Sequence, residues 1–473
     1  MKRTFALLVP GLASICIGAP ASGQVQGGAA LVAPAVLENR SSEPGVVEVE
    51  ITAAPARLSL VPGLETEVYA YNGSVPGPTL EVSEGDRVVI HFRNELPHAT
   101  TIHWHGIHLP VEADGSPFLP VAPGEEYVYE FTVHPGTAGT YWYHPHPHHH
   151  TAYQVARGLH GAVIVRDPDD PLAHLPERLL ILSDNRFRGD GSLAFAEPGS
   201  RQARLDAENG REGNVVLVNG QVLPTLEIQA DEVQRWRVLN ASSARTYRLA
   251  LPGHRFLHVG SDGGLFEHPV EVGEILLASA ERAELLVRGT GGPGEEARLQ
   301  SLPYDRYLPQ TRPSDWEDTL ELMTVRHSHG EPVPPVPLPE TLRPVPFLDP
   351  SEATVHRRIT LTKNRINGRM MDMNRVDEVA ELGATEIWEV ENLVGMDHSF
   401  HLHGFQFQVL DRDGAPVGQR KWKDVVNVPK RSTLRFIVRF DRYPGKWMYH
   451  CHILDHEDAG MMGVLEVQAP DAL

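Results

Sequence analysis

Length, composition and charge already exclude several classes of protein. The chain has 473 residues, enough for two to four domains of ordinary size. Its 62 acidic and 42 basic residues give a net charge of −20, which repels phosphate backbones and anionic membrane surfaces, so we expect no nucleic-acid partner. The 39 prolines, 42 glycines and 41% hydrophobic residues are typical of a globular, loop-rich protein.

The amino terminus has the composition of an export signal. Residues 1–21 combine a short basic start, an apolar run and small residues, with cleavage expected near Ala21. A Pro-Gly pair interrupts the apolar run, which is too short to span a membrane. We therefore expect an exported protein, periplasmic or secreted, without a membrane anchor. The basic pair Lys2-Arg3 leaves both the general and the twin-arginine export routes open.

Short strand patterns follow one another along the chain. Runs such as "DRVVIHFRN", "YVYEFTV" and "TLRFIVRF" alternate apolar and polar residues, and Gly, Pro, Asn and Asp turns separate them. Long amphipathic helical patterns are absent from the sequence. The predicted class is therefore all-β, built from sandwich domains.

A repeat divides the chain into three modules. Each copy has an Asn-Gly turn 21 to 25 residues before a final asparagine, at Asn94, Asn240 and Asn392. Such a repeat predicts three consecutive sandwich domains, and the proline-rich stretch "EPVPPVPLPETLRPVPFLDP" predicts a stiff linker before the third. The predicted domains are residues 46–167, 168–330 and 351–473, with the linker at 331–350.

Histidine pairs occupy equivalent positions in the first and third modules. They lie 9 and 11 residues after the final asparagine. These histidines are His103, His105, His401 and His403. The middle module has Leu249 and Leu251 at the same offsets, so we expect it to carry no metal ligands.

Two further pairs follow in the second half of each outer module. "GTYWYHPH" places His144 and His146 where "GKWMYHCH" places His450 and His452. Residues i and i+2 of a strand point to the same face, about 6.5 to 7 Å apart, so each pair can serve two adjacent ions. Eight converging imidazoles therefore predict a cluster of several metals, and imidazole favours copper, zinc, iron or nickel.

The two cysteines of the chain lie in very different contexts. Cys16 falls inside the export signal, so the mature chain keeps Cys451 alone and cannot form an internal disulfide. Metal ligation would explain this thiol, and burial as an inert side chain is the alternative. Cys451 must point away from the face of its neighbouring histidines, towards His398, His456 and Met461. Two His, a Cys and a weak axial Met form the ligand set of a blue-copper site, whereas structural zinc normally takes four strong ligands.

The motifs together resemble those of the three-domain multicopper oxidases, especially the bacterial laccases and copper-efflux oxidases. They are "HWHG" (103–106), "HPH" (144–146), "HSFHLHG" (398–404) and "HCHILDHEDAGM" (450–461), in the order of that family. The resemblance covers the whole mature chain and implies cupredoxin-like Greek-key β-sandwich domains. It also implies four copper ions, one of type 1, one of type 2 and two of type 3.

The resemblance assigns a ligand set to each copper. The type 1 ligands would be His398, Cys451, His456 and Met461, the type 2 ligands His103 and His401, and the type 3 ligands His105, His144, His146, His403, His450 and His452. Cys451 would also connect the type 1 copper to the cluster through its two neighbouring histidines.

The implied activity is the one-electron oxidation of a small-molecule donor coupled to the reduction of O2 to two waters. Phenols and aromatic amines are the expected donors, and Cu(I) or another low-valent metal is the alternative, in copper tolerance. A copper-binding protein without turnover is a third interpretation, but simple binding needs no such cysteine. Three modules with four histidine pairs exceed what two-domain nitrite reductases use. We expect a monomer, although no motif reports on the oligomeric state.

Two acidic residues are candidate proton donors for O2 reduction, which consumes four protons. Asp114 lies 11 residues after His103, where copper-efflux oxidases carry an acid, and Glu457 directly follows His456. An Asp-Gly turn and a surface carboxylate are the alternative interpretations.

Other soft or nitrogen ligands are less specific. The histidines at 148–150 suggest either a copper-loading patch or a solvated loop, and we favour the loop. Met396 matches a substrate-copper ligand of the copper-efflux oxidases, and "RMMDM" (369–373) adds three methionines. The chain has only nine methionines and no long methionine-rich insert, so core packing is expected for most of them.

Overall fold

The computed structural model describes residues 28–334 and 336–469, and the predicted export signal lies outside them. Within these ranges the chain is all-β, as predicted, with three short helices. These are α1 (Thr151–Ala156), α2 (Arg201–Asn209) and α3 (Leu454–Asp458). Single 3-10 turns occur at Val111–Ala113 and Pro350–Glu352. Among the described residues, no helix has the length and apolar character needed to cross a membrane.

The first stretch of chain forms two four-stranded sheets. Their strands are β1 (Val46–Val61), β2 (Leu64–Tyr71), β3 (Gly77–Ser83), β4 (Arg87–Asn94), β5 (His103–His105), β6 (Glu126–Thr132), β7 (Gly139–His144) and β8 (Gly161–Arg166). One sheet has the order β2-β1-β4-β6 and the other β3-β8-β7-β5. Strands β5 and β7 both carry predicted metal ligands, and they pair directly.

The second stretch forms a six-stranded and a five-stranded sheet. The strands are β9 (Glu177–Asn185), β10 (Val215–Val218), β11 (Thr225–Ile228), β12 (Val233–Asn240), β13 (Tyr247–Ala250), β14 (Phe256–Ser261), β15 (Gly264–Val272), β16 (Glu274–Leu277), β17 (Arg282–Arg288), β18 (Glu296–Leu302) and β19 (Leu320–His327). The orders are β10-β9-β12-β17-β14-β15 and β11-β19-β18-β13-β16. Leu249 and Leu251, the counterparts of ligand histidines, are buried in the core between the sheets.

The third stretch repeats the arrangement. Its strands are β20 (Val355–Thr362), β21 (Arg365–Ile366), β22 (Glu378–Glu381), β23 (Thr385–Asn392), β24 (His398–Leu402), β25 (Phe407–Arg412), β26 (Ala415–Pro416), β27 (Trp422–Lys423), β28 (Val425–Val428), β29 (Thr433–Arg439), β30 (Gly445–Cys451) and β31 (Met462–Gln468). One sheet runs β21-β20-β23-β29-β25-β26, with β27 beside β25, and the other β22-β31-β30-β24-β28. Three consecutive β-sandwiches confirm the predicted fold class, and the exact domain boundaries stay predictions.

The final asparagine of each repeat performs the same structural task. Each is buried, and its amide N–H groups donate to two backbone carbonyls, for example from Asn94 to His98 and Val121 at 2.9 Å each. Asn240 and Asn392 make the equivalent bonds. These bonds tie the end of one sheet to the loop that leads to the facing sheet. In the outer modules that loop delivers the chain to the histidine strands.

The sandwiches are packed against one another as well as internally. A separate apolar cluster joins Trp142 of the first, Leu239 of the second and Val425 of the third. The proline-rich stretch is extended and lies on this assembly, since Leu342 donates its backbone N–H to Glu267 O at 2.9 Å. This packing holds the outer sandwiches in a defined relation, which a metal site shared between them requires.

Candidate metal centres

Eight buried histidines of the first and third sandwiches converge at the interface between them. Strand pairing sets His103 opposite His144 and His401 opposite His450. All eight side chains are at most 1% exposed; they are His103, His105, His144, His146, His401, His403, His450 and His452. Rings from different sandwiches stack, with centroids 3.9 Å apart for His103 and His403. The predicted convergence of the four histidine pairs is therefore present.

The ring nitrogens fall into three groups, each drawn from both sandwiches. Within a group the candidate ligand atoms lie within 4.8 Å of one another. The groups are His103, His105 and His401; His105, His144 and His452; and His146, His403 and His450. Three adjacent groups with one shared histidine can hold three neighbouring metal ions, and neither sandwich could do so alone.

In several of these rings the protein holds one nitrogen, and the other has no partner within the described part of the chain. His144 Nδ1–H donates to Pro145 O at 2.8 Å and His401 Nδ1–H to Asp424 O at 2.7 Å. Their Nε2 atoms, like that of His103, have no hydrogen-bond partner among the described residues. Burial lowers the pKa of His144 and His401 well below the usual value, so both rings are neutral and offer lone pairs inward.

A second site surrounds the single thiol. Cys451 Sγ lies 3.4 Å from His398 Nδ1 and 3.7 Å from His456 Nδ1, and all three side chains are buried. His456 Nε2–H donates to the backbone carbonyl of Glu208 on α2 at 3.1 Å, so its Nδ1 carries the lone pair that faces the sulfur. Burial lowers the pKa of His456 to about 4 and raises the pKa of the thiol to about 12. The group has the donor set of a soft-metal site.

Met461 closes the loop around the thiol. Its backbone N–H donates to His456 O at 2.9 Å, and its carbonyl accepts from Cys451 N–H at 3.1 Å. The side chain is fully buried in the same apolar core as Cys451. The next residue, Met462, begins β31 and packs with Met448 in a different cluster, so the two side chains contact different surroundings.

Both predicted acids contact the histidine cluster. Asp114 Oδ2 accepts from His403 Nδ1–H at 2.9 Å. Glu457 Oε1 lies 3.5 Å from His146 Nδ1, and its Oε2 lies 3.5 Å from His450 Nδ1. Burial, with a smaller contribution from the charge of Asp458, raises the pKa of Glu457 well above its usual value. Neither residue is a surface carboxylate, because each is only 1% exposed.

Sequence reasoning missed a third acid and its cation. Asp424 Oδ1 accepts from His105 Nε2–H at 2.9 Å, and Asp424 is held in turn by Arg282 of the middle sandwich, with Nη2 2.5 Å from Oδ2. Both charged groups are at most 1% exposed. The middle sandwich thus supplies a support for the cluster although it supplies no histidine. A lone Asp before the apolar run "VVNV" was the only signal in the sequence.

The less specific candidate ligands, for which a loop or core packing was the favoured interpretation, lie outside these groups. In the tract at 148–150, His149 Nδ1–H donates to Asp458 O at 2.7 Å, and His150 stacks on His98 with ring centroids 5.7 Å apart. None of the three tract histidines belongs to a group of close ligand atoms within the described ranges. Met396 is buried in the core of the third sandwich, whereas Met370 is exposed.

Three sequence models of one protein family match the chain. Each is described as "Multicopper oxidase", and the matches cover residues 52–170, 187–295 and 345–471. Each match falls on one of the three β-sandwiches, including the middle one without ligand histidines.

Individual proteins with the same architecture are similar over nearly the whole chain. A multicopper oxidase of Staphylococcus haemolyticus is 32% identical over 455 residues, with 93% of each chain covered. A laccase of Bacillus subtilis is 29% identical over 478 residues, covering 86% of this chain and 91% of the relative. Among solved structures, a multicopper oxidase of Campylobacter jejuni described as a metallo-oxidase has a TM-score of 0.85 and 35% identity, covering 94% of this chain and 96% of that one.

Proposed function

The chain belongs to the multicopper oxidase family, and from this premise we propose that it is a laccase-like oxidase of phenols, aromatic amines and similar one-electron donors. Membership of the family makes it a copper-dependent oxidoreductase that uses O2 as the electron acceptor. The choice of donor and the role of each residue are the proposal, and the contacts at the two centres support them.

The ligand assignments follow the grouping of the donor atoms. We assign a type 1 copper to the thiol site, a type 2 copper to the group that contains both His103 and His401, and a type 3 pair to the other two groups. The ligands are His398, Cys451, His456 and Met461 for type 1; His103 and His401 for type 2; and His105, His144, His146, His403, His450 and His452 for type 3. Copper bound there would supply one-electron oxidation of the donor and four-electron reduction of O2 to water.

The observation that supports the proposal most directly is that three consecutive residues, 450–452, contribute to both the thiol site and the cluster. Cys451 directs its sulfur to His398 and His456, while its chain neighbours His450 and His452 belong to the cluster. The covalent path from sulfur to either cluster histidine therefore crosses a single peptide bond. A protein that only stored copper would gain nothing from this connection, whereas an oxidase needs it to collect electrons singly.

The protein must also deliver protons to O2. Asp114 and Glu457 hold carboxyl groups against two histidines of the same ligand group, His403 and His146. We assign them as the groups that pass protons to the oxygen atoms of the product. Asp424 and Arg282 serve a different purpose, since their ion pair fixes the orientation of the His105 ring.

Donors would approach the thiol site across α2. His456 is almost completely buried, and the carbonyl of Glu208 on α2 covers its Nε2. An aromatic donor resting on this helix needs only to pass an electron through the bonded imidazole, and it does not need to enter the protein. A metal ion acting as the donor would instead require ligands of its own beside His456.

A metallo-oxidase that acts on Cu(I) is the second candidate, because the similar Campylobacter jejuni protein carries that description. Thioethers would be the expected ligands for Cu(I). Met370 is exposed and lies against Gly460, next to the axial candidate Met461. Met396, in contrast, is buried and has the environment of a packing residue.

We further propose that the protein works outside the cytoplasm, in the periplasm or secreted, as a monomer. The basic and apolar composition of residues 1–21 supports export. A mature chain with one cysteine, fully buried in a metal site, is suited to an oxidising compartment because it has no exposed thiol.

Steady-state kinetics with two donors tests the choice of substrate. O2 uptake is recorded with 2,6-dimethoxyphenol and with Cu(I), for the native protein and for Met370→Leu. We expect kcat/KM for the phenol to exceed that for Cu(I) by about tenfold or more, with neither value changed by the substitution. A preference for Cu(I) that Met370→Leu weakens would contradict the laccase proposal and support the metallo-oxidase.

A further inference from the structure

A cavity of about 600 Å³ lies where the three sandwiches and the proline-rich stretch meet. The first sandwich contributes His108 and His134, the second Leu265, and the third Phe405. None of the assigned copper ligands lines it. The volume is in the range of pockets that bind small organic molecules.

This cavity is separate from the thiol site. Its wall residue Phe405 packs on Trp447, with ring centroids 5.1 Å apart. Trp447 precedes Cys451 by four residues on β30, a distance of about 13 Å along a strand at 3.3 Å per residue. A molecule in the cavity would therefore not occupy the surface of α2, across which donors are expected to approach His456.

One part of the lining consists of apolar residues. They are the aromatic Phe405 and Trp422 and the aliphatic Leu265 and Val345. Surfaces of this kind favour an aromatic ring, because stacking adds to the free energy gained by burying apolar area.

Another part of the lining has more arginines than acids. Arg343, Arg439 and Arg442 line the cavity, and Asp441 is the only acid among the lining residues. Arg343 is ion-paired with Glu84 at 3.0 Å. Within residues 28–334 and 336–469, Arg439 makes no ion pair, and Arg442 reaches only Asp441, 3.8 Å away, and His134 Nδ1, 3.4 Å away.

Arg439 and Arg442 are exposed on a chain with a net charge of −20, and both keep guanidinium donors available, because no acid in the described ranges lies within hydrogen-bond distance of either. Arginines with available donors bind carboxylates preferentially, through paired, charge-assisted N–H bonds. The adjacent aromatic wall requires that the rest of the ligand be apolar and planar.

We propose that this cavity is a binding site for aromatic carboxylates. The carboxylate pairs with Arg439 and Arg442, and the ring lies against Phe405 and Trp422. The site does not depend on the assignment of the oxidase substrate, because no copper ligand takes part in it.

Calorimetric titration of the copper-loaded protein with benzoate tests the proposal. Native protein is compared with the double variant Arg439→Gln, Arg442→Gln. A matched control, Arg358→Gln with Arg365→Gln, removes the same charge from exposed arginines on β20 and β21. Benzyl alcohol serves as the uncharged probe of the same shape.

The expected result is one benzoate per chain, with affinity about tenfold weaker in the cavity variant and unchanged in the control, since each charge-assisted bond contributes measurably. Benzyl alcohol should bind at least about tenfold more weakly than benzoate. The proposal is overturned if native protein does not bind benzoate, or if benzyl alcohol binds equally well. Affinity in the cavity variant equal to that of the native protein also overturns the proposal, because benzoate then binds elsewhere, for instance at copper. A loss of affinity in the control as large as that in the cavity variant overturns it as well, because the effect would then be one of general charge.

Discussion

Replacing Met461 by leucine should raise the reduction potential of the copper at the thiol site. The side chain of Met461 is fully buried beside Cys451, and its backbone bonds to His456 O and from Cys451 N–H do not involve the thioether. Leucine has a similar volume, so the loop should persist at a cost below about 1.5 kcal/mol. The substitution therefore removes the weak axial donor and little else.

The magnitude follows from the chemistry of that donor. A thioether stabilises Cu(II) weakly, so its loss should raise the potential by tens of millivolts to about a hundred. For one electron this is a free-energy change of about 1 to 2 kcal/mol, since 59 mV corresponds to a factor of ten. Met462 is the matched control, because its side chain packs with Met448 in a cluster separate from that of Met461 and Cys451. Met462→Leu should leave the potential unchanged.

A redox titration of the visible absorption band measures the potential in the native protein and in both variants. The same samples can be assayed with phenols that are harder to oxidise, which the Met461→Leu protein should oxidise more readily. An unchanged or lowered potential in Met461→Leu, or an equal rise in Met462→Leu, would refute the assignment of Met461 as the axial ligand.

Three further predictions follow from contacts around the two centres. Asp114→Asn and Glu457→Gln should each slow reoxidation of the reduced enzyme by O2 by about 10² or more with bound copper retained; a normal stopped-flow rate would mean that the residue is only structural. Asp424→Asn removes the nearer of two countercharges of the buried Arg282, because Asp262 Oδ1 stays 3.5 Å from its Nη1. The change should cost up to about 3 kcal/mol, seen as a lower calorimetric melting temperature and loss of cluster copper, which Arg282→Met in the same chain should partly restore. Because burial raises the pKa of the Cys451 thiol to about 12, Cu(I) binding there displaces a proton. Affinity measured against a competing chelator should fall about tenfold for each unit of pH lost below neutrality, and a pH-independent affinity would contradict this.

Much of the fold was predictable because its signals are local and repeated. The Asn-Gly turns at Asn72, Asn219 and Asn367 all have positive φ, which is the conformation that this dipeptide favours in hairpins. The buried asparagines that close each repeat identified equivalent strands, and through them the equivalent histidines. The period of two in a strand then predicted which side chains share a face, including the opposite direction of Cys451.

The supporting contacts could not be predicted in this way. Asp424 is 319 residues from His105 in the chain, and its countercharge Arg282 belongs to a sandwich without any ligand. No periodicity relates positions so far apart on three separate sandwiches, and a single acid before an apolar strand has many ordinary uses. The packing of the proline-rich stretch was equally unpredictable. Its composition predicted stiffness, but not that Arg343 and its neighbours would line the cavity.

The visible spectrum of Cys451→Ser tests most directly whether Cys451 binds a type 1 copper that turnover requires. The sulfur is the only soft, charged donor at the thiol site, and serine keeps the fold because the side chain is small and the loop is held by backbone bonds. We predict that the intense visible band and O2 uptake with every donor are lost, while copper analysis and electron paramagnetic resonance still find the copper of the histidine cluster. A variant that keeps the blue band, or that turns over a phenol at the native rate, would contradict the central claim.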